Sequence, residues 1–361
     1  MAFIFSLFSF FYMSILSWLY TSDKINRYIF VFLVCILSSV FSAYFSHDST
    51  AYQELFSHYS ATHVGNIFNE MVGYELFFLF FAKSLSFFPA FVFFFLYAVL
   101  SFSIKFVLIK KVSKTPILSL LCFFAFFFLY LDGTVIRVSL GIAVAYWGVY
   151  LLSKNKLFYF IIVILLSGVF FHYSLIVLLI MIFFKSHVSI LIVLSLLLFS
   201  LVIYFFGFGF LDFFSTVINC LDSSYIGVDK LTSYLNKSQM SHPYSMVFIA
   251  LFIASLLTYF LFKDELNSFE LIAFNMLFLS FFFLVAFYQS QALQNRVSEI
   301  FRYSLVFVAP FFYYALKDIL MKPRWAMVIY CFFLSGYFFY YYYFKEIISD
   351  ENLSLLHAML F

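Results

Sequence analysis

Charge is scarce in this sequence. Asp, Glu, Lys and Arg make up 10% of its 361 residues, against roughly 25% in a water-soluble domain, so no part of it reads as a soluble domain. The net charge of +3 is small and the basic residues are scattered, which excludes a nucleic-acid partner. Cysteine is rare too: of four residues, Cys35, Cys122 and Cys331 lie in apolar runs and Cys220 stands alone in a polar stretch, so neither a disulfide framework nor metal-ligand spacing is visible. Walker A, HExxH, GxSxG and Rossmann glycine motifs are all missing, and no cofactor or metal is expected. No internal repeat is visible, which weighs against a secondary transporter built from two related halves. The run 2–20 lacks a basic n-region and a cleavage site, and reads as a first span rather than a signal peptide.

What the sequence has instead is apolar length. Hydrophobic residues are 66% of the chain and Phe alone occurs 62 times, in long runs separated by short polar breaks, the pattern of a chain solvated by a bilayer. About 20 apolar residues carry a helix across the hydrocarbon. On that ruler spans fall near 2–20, 29–45, 89–109, 116–131, 134–152, 188–206, 244–262, 268–288, 303–320 and 325–344. The run 157–184 is too long for one untilted crossing and is interrupted by Ser167, Gly168 and His172, so it reads as two short helices meeting near His172. Segment 74–88 lies along the interface or dips in and returns, with Lys83 snorkelling out. The aromatic run 338–344 reads as lipid-facing wall or interfacial belt. The expected fold is one all-α polytopic transmembrane domain over 1–361, a bundle of about 10–12 spans with short re-entrant or interfacial helices on the outer face.

Basic residues orient the bundle. With 157–184 split, Lys24 and Arg27, then Lys110, Lys111 and Lys114, then Lys154 and Lys156, Lys185, Lys263, and finally Lys317, Lys322 and Arg324 all share one side. The positive-inside rule makes that side cytoplasmic. Both termini and the two longest polar loops, 46–73 and 207–243, then lie outside.

An ionised group inside a bilayer costs about 3 kcal/mol on insertion scales, so polar residues that context does not explain are site candidates. They gather on the outer side. The loop His47-Asp48-Ser49-Thr50-Ala51-Tyr52 continues to Glu70-Met71-Val72-Gly73-Tyr74-Glu75 with acids and histidines but no Lys or Arg. Glu54, His58 and His63 read as solvated surface, while Asp48 and Glu70 flank the membrane boundary, as loop or as site. Asp132 precedes a span and suits a helix cap, a partner for Arg137, or a substrate-positioning group. Arg137 cannot shed its proton, and its planar cation is matched to phosphate oxygens. His172 is either a junction histidine bonded to backbone or a proton acceptor and donor lining a cavity. Arg296, Glu299 and Arg302 share a helical face by their three-residue spacing, as a salt-bridge ladder or as two cations and an acid for a diphosphate.

These residues carry a resemblance. Asp48-x-x-x-Tyr52, Glu70-x-x-Gly73-Tyr74, the Arg137 helix, Phe171-His172-x-Ser174-Leu175-Ile176 and the Arg296/Glu299/Arg302 helix start are similar to those of the EpsG-like, Wzy-type polysaccharide polymerases. The resemblance implies a bacterial inner-membrane glycosyltransferase of O-antigen, lipopolysaccharide or exopolysaccharide biosynthesis. Such an enzyme joins undecaprenyl-diphosphate-linked repeat units at the periplasmic face, with lipid-linked glycans as donor and acceptor and a chain-length regulator as partner. On that reading Arg137, Arg296 and Arg302 bind the diphosphate. Asp48, Glu70, His172 or Glu299 deprotonates the acceptor hydroxyl, with no choice among the four, and Tyr52, Tyr74 and Asp132 position substrate. Three other readings stand beside it. An O-antigen ligase calls for a larger outer loop than 207–243, a flippase for charges deep in several spans, and a glycan acyltransferase for a polar cluster on the cytoplasmic side.

Overall fold

Hydrocarbon offers a backbone no hydrogen bonds, so a chain this apolar must close them within helices. The computed structural model describes residues 11–12, 14–15, 27–46, 48–61, 76–186, 190–206 and 246–345, and among them there are helices and no strand. In chain order the α-helices are α1 (Arg27–Val40), α2 (Ser49–Ala61), α3 (Leu76–Ser84), α4 (Ala90–Val112), α5 (Pro116–Phe126), α6 (Ile136–Ser153), α7 (Leu157–Phe170), α8 (Ile190–Phe205), α9 (Met246–Phe262), α10 (Ser268–Ala286), α11 (Gln291–Arg302), α12 (Leu305–Leu320) and α13 (Pro323–Lys345). π-helical stretches follow α1 (Phe41–Phe45) and α5 (Phe128–Thr134), and a 3-10 helix (Tyr173–Ile182) follows α7.

Among the described residues three helices, α4, α6 and α10, are long and apolar enough to cross a membrane alone, and two bent pairs raise the number to as many as five. The pairs are α5 with its π stretch, bent by 65°, and α11 with α12, bent by 59°. Shorter apolar helices, α7 and α9 among them, pack around these. The chain is an all-α polytopic membrane protein. Its centre is α10, buried on nearly every side by the helices around it. That helix starts from a capping box in which the Asn267 side chain accepts from the Phe269 and Glu270 amides while Glu270 accepts from the Asn267 amide.

Several of the lysines expected on one side, Lys111, Lys114 and Lys154, do share one end of the bundle, while Lys24 lies outside the described residues. Lys114 pairs with Glu270 at 3.3 Å and lies over Phe311. Lys111 lies over the rings of Trp147 and Tyr150, and Lys154 over Tyr150. The Tyr314 hydroxyl donates to Thr115. Loops 113–115, 154–156 and 263–267 and the end of α12 therefore meet.

The run 157–184 does break near His172. Helix α7 ends at Phe170 and the 3-10 arm begins at Tyr173, and the two fold back so closely that a Cβ on Gly168 would lie 2.5 Å from Ile176 Cγ1. At the arm's other end the buried Asn275 amide donates to the carbonyls of Phe184 and Ser186.

Elsewhere the structure differs from the sequence reading. Stretch 46–73 is not loop throughout: it holds α2, which buries Ser49, Tyr52, Phe56 and Tyr59 at helical spacing beneath a polar outer face that hides the pattern. Lys83 does not snorkel. It donates to the Ser60 carbonyl at 2.8 Å and ties α3 to the end of α2. Span 116–131 is broken at Phe127. Phe338 is buried, and its neighbour Tyr337 stacks on Phe126 at 3.8 Å, so this part of the aromatic run is core rather than lipid-facing wall.

Gly141 in α6 faces the joint between α7 and the 3-10 arm, where a Cβ would lie 2.8 Å from Phe171 Cβ and 2.5 Å from Leu175 Cδ1. Gly141→Ala is predicted to destabilise the detergent-purified protein by about 1–3 kcal/mol through overpacking, read as a lower unfolding temperature. Gly336→Ala, where a Cβ meets nothing within 4 Å, is the control expected to hold or raise that temperature. Equal responses of the two variants would show that the joint is not close-packed.

Candidate functional site

Arg137 is the second residue of α6, at the end opposite the one beside Lys154. Its guanidinium lies over the Tyr52 ring at 5.4 Å and the Phe78 ring at 5.7 Å, within cation–π range. Tyr52 faces inward because it falls on the buried stripe of α2, whose first turn follows Asp48. Gln53 Nε2 donates to the Ala43 carbonyl at 2.5 Å, tying α2 to the π stretch after α1. Phe78 comes from α3, whose rings pack on Phe93 and Tyr97 of α4.

Tyr130, on the π stretch after α5, is where the charges converge: Arg302, Arg296, Asp48 and Tyr52 all act on it electrostatically. Arg296 and Arg302 arrive on α11, held at its start by Ser290, which caps it, and by Gln294, whose amide donates to the Leu284 carbonyl at 2.6 Å. At its far end Tyr146 of α6 donates to the Ile300 carbonyl at 2.9 Å. The three-residue spacing does put Glu299 against Arg302: Arg302 Nε donates to Glu299 Oε2 at 3.2 Å, and Arg302 Nη2 pairs with Glu299 Oε1. Glu299 is 3% exposed, so the pair is an inner one rather than a surface ladder.

Asp48, Tyr52, Arg137, Arg296, Glu299 and Arg302 thus fall in one neighbourhood. His172 lies one layer away, where Phe171 packs on Phe77 of α3 at 4.9 Å. Its Nδ1 accepts from the Ser174 amide at 3.3 Å and meets the Ser174 hydroxyl at 2.6 Å, so the ring caps the 3-10 helix. Glu54 and His58 are exposed. Glu70, Tyr74 and His63 lie outside the described residues, as do the loop 207–243 and both termini.

Asp132 is not the expected cap of the next helix. Helix α6 begins after Val135 with no side-chain cap, and the Asp132 carboxylate, 3% exposed, is bound from behind by Lys105. Lys105 Nζ lies 2.6 Å from Oδ1 and 2.7 Å from Oδ2, while Ser101 and Ser139 donate to Oδ1 at 2.9 and 2.6 Å. A lone cation in the body of an apolar run is the signal that finds Lys105, and reading 89–109 only as a span passes over it. Tyr130, one tyrosine of 28, gives no such signal. The site offers a ligand guanidinium, carboxylate and phenol groups; among the described residues no three His, Cys, Asp or Glu side chains converge as a metal centre would need.

The inner position of Glu299 sets an expectation. Glu299→Gln leaves the Arg302 cation without its counter-ion and is predicted to destabilise the protein by about 1–3 kcal/mol. Adding Arg302→Met should recover most of that loss, since a removed pair costs less than a broken one. Thermal unfolding in detergent checks both, and an additive double variant would mean the pair contributes nothing.

The chain matches the EpsG family across residues 27–355, a stretch that holds every charged residue of the site. No curated protein and no solved structure matches it. The match covers most of the chain and agrees with the resemblance carried by the Asp48, Arg137, His172 and Arg296 segments: the chain belongs to the EpsG family, the family of Wzy-type polymerase-like membrane proteins.

Proposed function

We propose that this protein joins lipid-diphosphate-linked oligosaccharide repeat units into a surface polysaccharide at the outer face of a bacterial inner membrane, with undecaprenyl diphosphate as the carrier. Membership of the EpsG family supports a membrane polysaccharide polymerase-like role. The observation that supports the finer reading is Arg137 held over the rings of Tyr52 and Phe78, with Arg296, Arg302 and Asp48 within electrostatic reach of the nearby Tyr130. Such a site combines cations for a diphosphate with an acid for a hydroxyl, at the end of the bundle away from the lysines.

In the reaction, a hydroxyl of the incoming repeat attacks the anomeric carbon of the growing lipid-linked chain. The new glycosidic C–O bond forms as the bond to the diphosphate breaks, and the diphosphate leaves with the electron pair. Charge builds on the leaving group, and fixed guanidinium groups stabilise it there, the help that usually dominates such transfers. The hydroxyl proton passes to a base within hydrogen-bond reach. Asp48, Glu70, His172 and Glu299 are the candidates for that role.

One observation favours a second reading, a flippase for the same lipid: the Lys105–Asp132 pair puts opposite charges deep in the bundle. Deleting the gene in its host and resolving the surface polysaccharide on a gel separates the two. A single-repeat product, restored to a ladder by the wild-type gene, is the polymerase outcome. Loss of even the single repeat points to flipping or ligation, and an unchanged ladder to acyl modification. Among complementing variants, Arg137→Lys is expected to fail as Arg137→Ala does while reaching the membrane at normal levels, because an ammonium lacks the planar fork. A full-length ladder from the Lys variant would remove Arg137 from the diphosphate site.

A further inference from the structure

Residue 132 is tied through both its side chain and its backbone. Its carboxylate takes Lys105 and Ser101 from α4 and Ser139 from α6. Its backbone carbonyl takes the hydroxyls of Ser38 and Ser42, on and just after α1, at 3.0 and 2.8 Å. The ammonium of Lys105 also lies over Phe102 of α4 and Phe123 of α5, at 5.6 and 5.4 Å. The ion pair therefore gathers α4, α5 and α6, and the backbone carbonyl of the same residue gathers α1, around a short π-helical stretch. That turn is the bent part of a broken span, with a bend of 65°, and nothing in its own sequence makes it bend there, since neither Pro nor Gly stands at 126–128. Backbone of this kind holds its shape only when its surroundings over-determine it. Two residues before Asp132 the same turn carries Tyr130, and Phe127, just ahead of the turn, packs on Tyr303, the residue after Arg302, at 5.2 Å.

We propose that Lys105 is a positioning residue of the site: its ion pair with Asp132 holds the π-helical turn bent, and so keeps that turn and its Tyr130 in place against the end of α11 that carries Arg302. Lys105 itself touches no substrate. Its three ammonium protons have three acceptors, both Asp132 oxygens and the Ser139 hydroxyl. Beside Asp132 lies a small cavity whose polar lining is Ser38, Ser42, Ser101 and Asp132, with Tyr97 and Ile136 among its other walls. Without the lysine the carboxylate has room to turn into that space and toward those serines. The turn is then released, and Tyr130 moves relative to α11.

The proposal rests on the polymerase reading for its catalytic consequence and on the geometry alone for its structural one, so two measurements are paired. In protein reconstituted in nanodiscs with its native cysteines replaced by serine, Tyr130→Cys and Arg296→Cys are cross-linked by a short bismaleimide, with and without Lys105→Met. In parallel, Lys105→Met alone is assayed for kcat and KM on lipid-linked repeats extracted from the deletion strain. The expected result is a slower cross-link together with a fall in kcat of about a hundredfold, the scale of a displacement near 1 Å, while KM stays within about twofold. Asp132→Asn should do the same. Unchanged cross-linking overturns the proposal, and so does activity that falls only in proportion to the amount of folded protein. If cross-linking slows in Lys105→Met while the wild-type protein polymerises nothing, the positioning role stands and the polymerase reading fails.

Discussion

In a bilayer every backbone amide and carbonyl that a helix leaves open needs a partner from the protein itself, and much of this structure follows from meeting that need. Irregular backbone appears at 41–45, 127–135, 171–172 and 303–304, and polar side chains close on it or on the helix ends beside it. Ser38 and Ser42 serve the Asp132 carbonyl, Gln53 that of Ala43, Gln294 that of Leu284, Tyr146 that of Ile300, and Asn275 those of Phe184 and Ser186. The scarce polar residues are thus placed where helices break. Because breaks also expose side chains that a straight helix would turn toward lipid or core, the candidate site forms at the same places.

The aromatic excess has a part in this beyond filling space. A cation in an apolar bundle lacks water, and the face of an aromatic ring is one of the few groups that replaces it without adding charge. Arg137 lies over Tyr52 and Phe78, Lys105 over Phe102 and Phe123, and Lys111 over Trp147 and Tyr150. The same rings interlock edge to face in the interior, as Phe78 does on Phe93 and Phe123 on Tyr303. A chain poor in carboxylates can therefore still seat buried cations.

This division explains what could be read from the sequence. Apolar runs mark helices in lipid reliably, so the membrane class, the break near His172 and the shared end of the lysines were all legible. Helix faces were not, because a helix such as α10, apolar on every side and buried on nearly every side, has no polar stripe to show which way it turns. Nor were the breaks at Phe127 and at Tyr303 and Ser304, which carry no proline or glycine to announce them. The spacing of Arg296, Glu299 and Arg302 was readable because it is local. The buried pairing of Asp132 was not legible, because its partner Lys105 lies 27 positions away, beyond the reach of any local pattern.

The choice of cation at each position carries the remaining step. An ammonium is a compact charge with three donors, and at Lys105 all three are satisfied by oxygens of Asp132 and Ser139, which suits a group that fixes a shape and takes no ligand. A guanidinium has five donors in a plane, and its face and its edge serve different partners. Arg137 lies over Tyr52 and Phe78, and Arg302 gives Nε and Nη2 to Glu299, so both cations are held by something other than a substrate. A planar cation oriented in advance presents its edge to phosphate oxygens with little freedom left to lose. Lysine behind the site and arginine at its front are therefore the two halves of the proposed arrangement, in which the buried pair sets the bend and the bend sets the turn against α11.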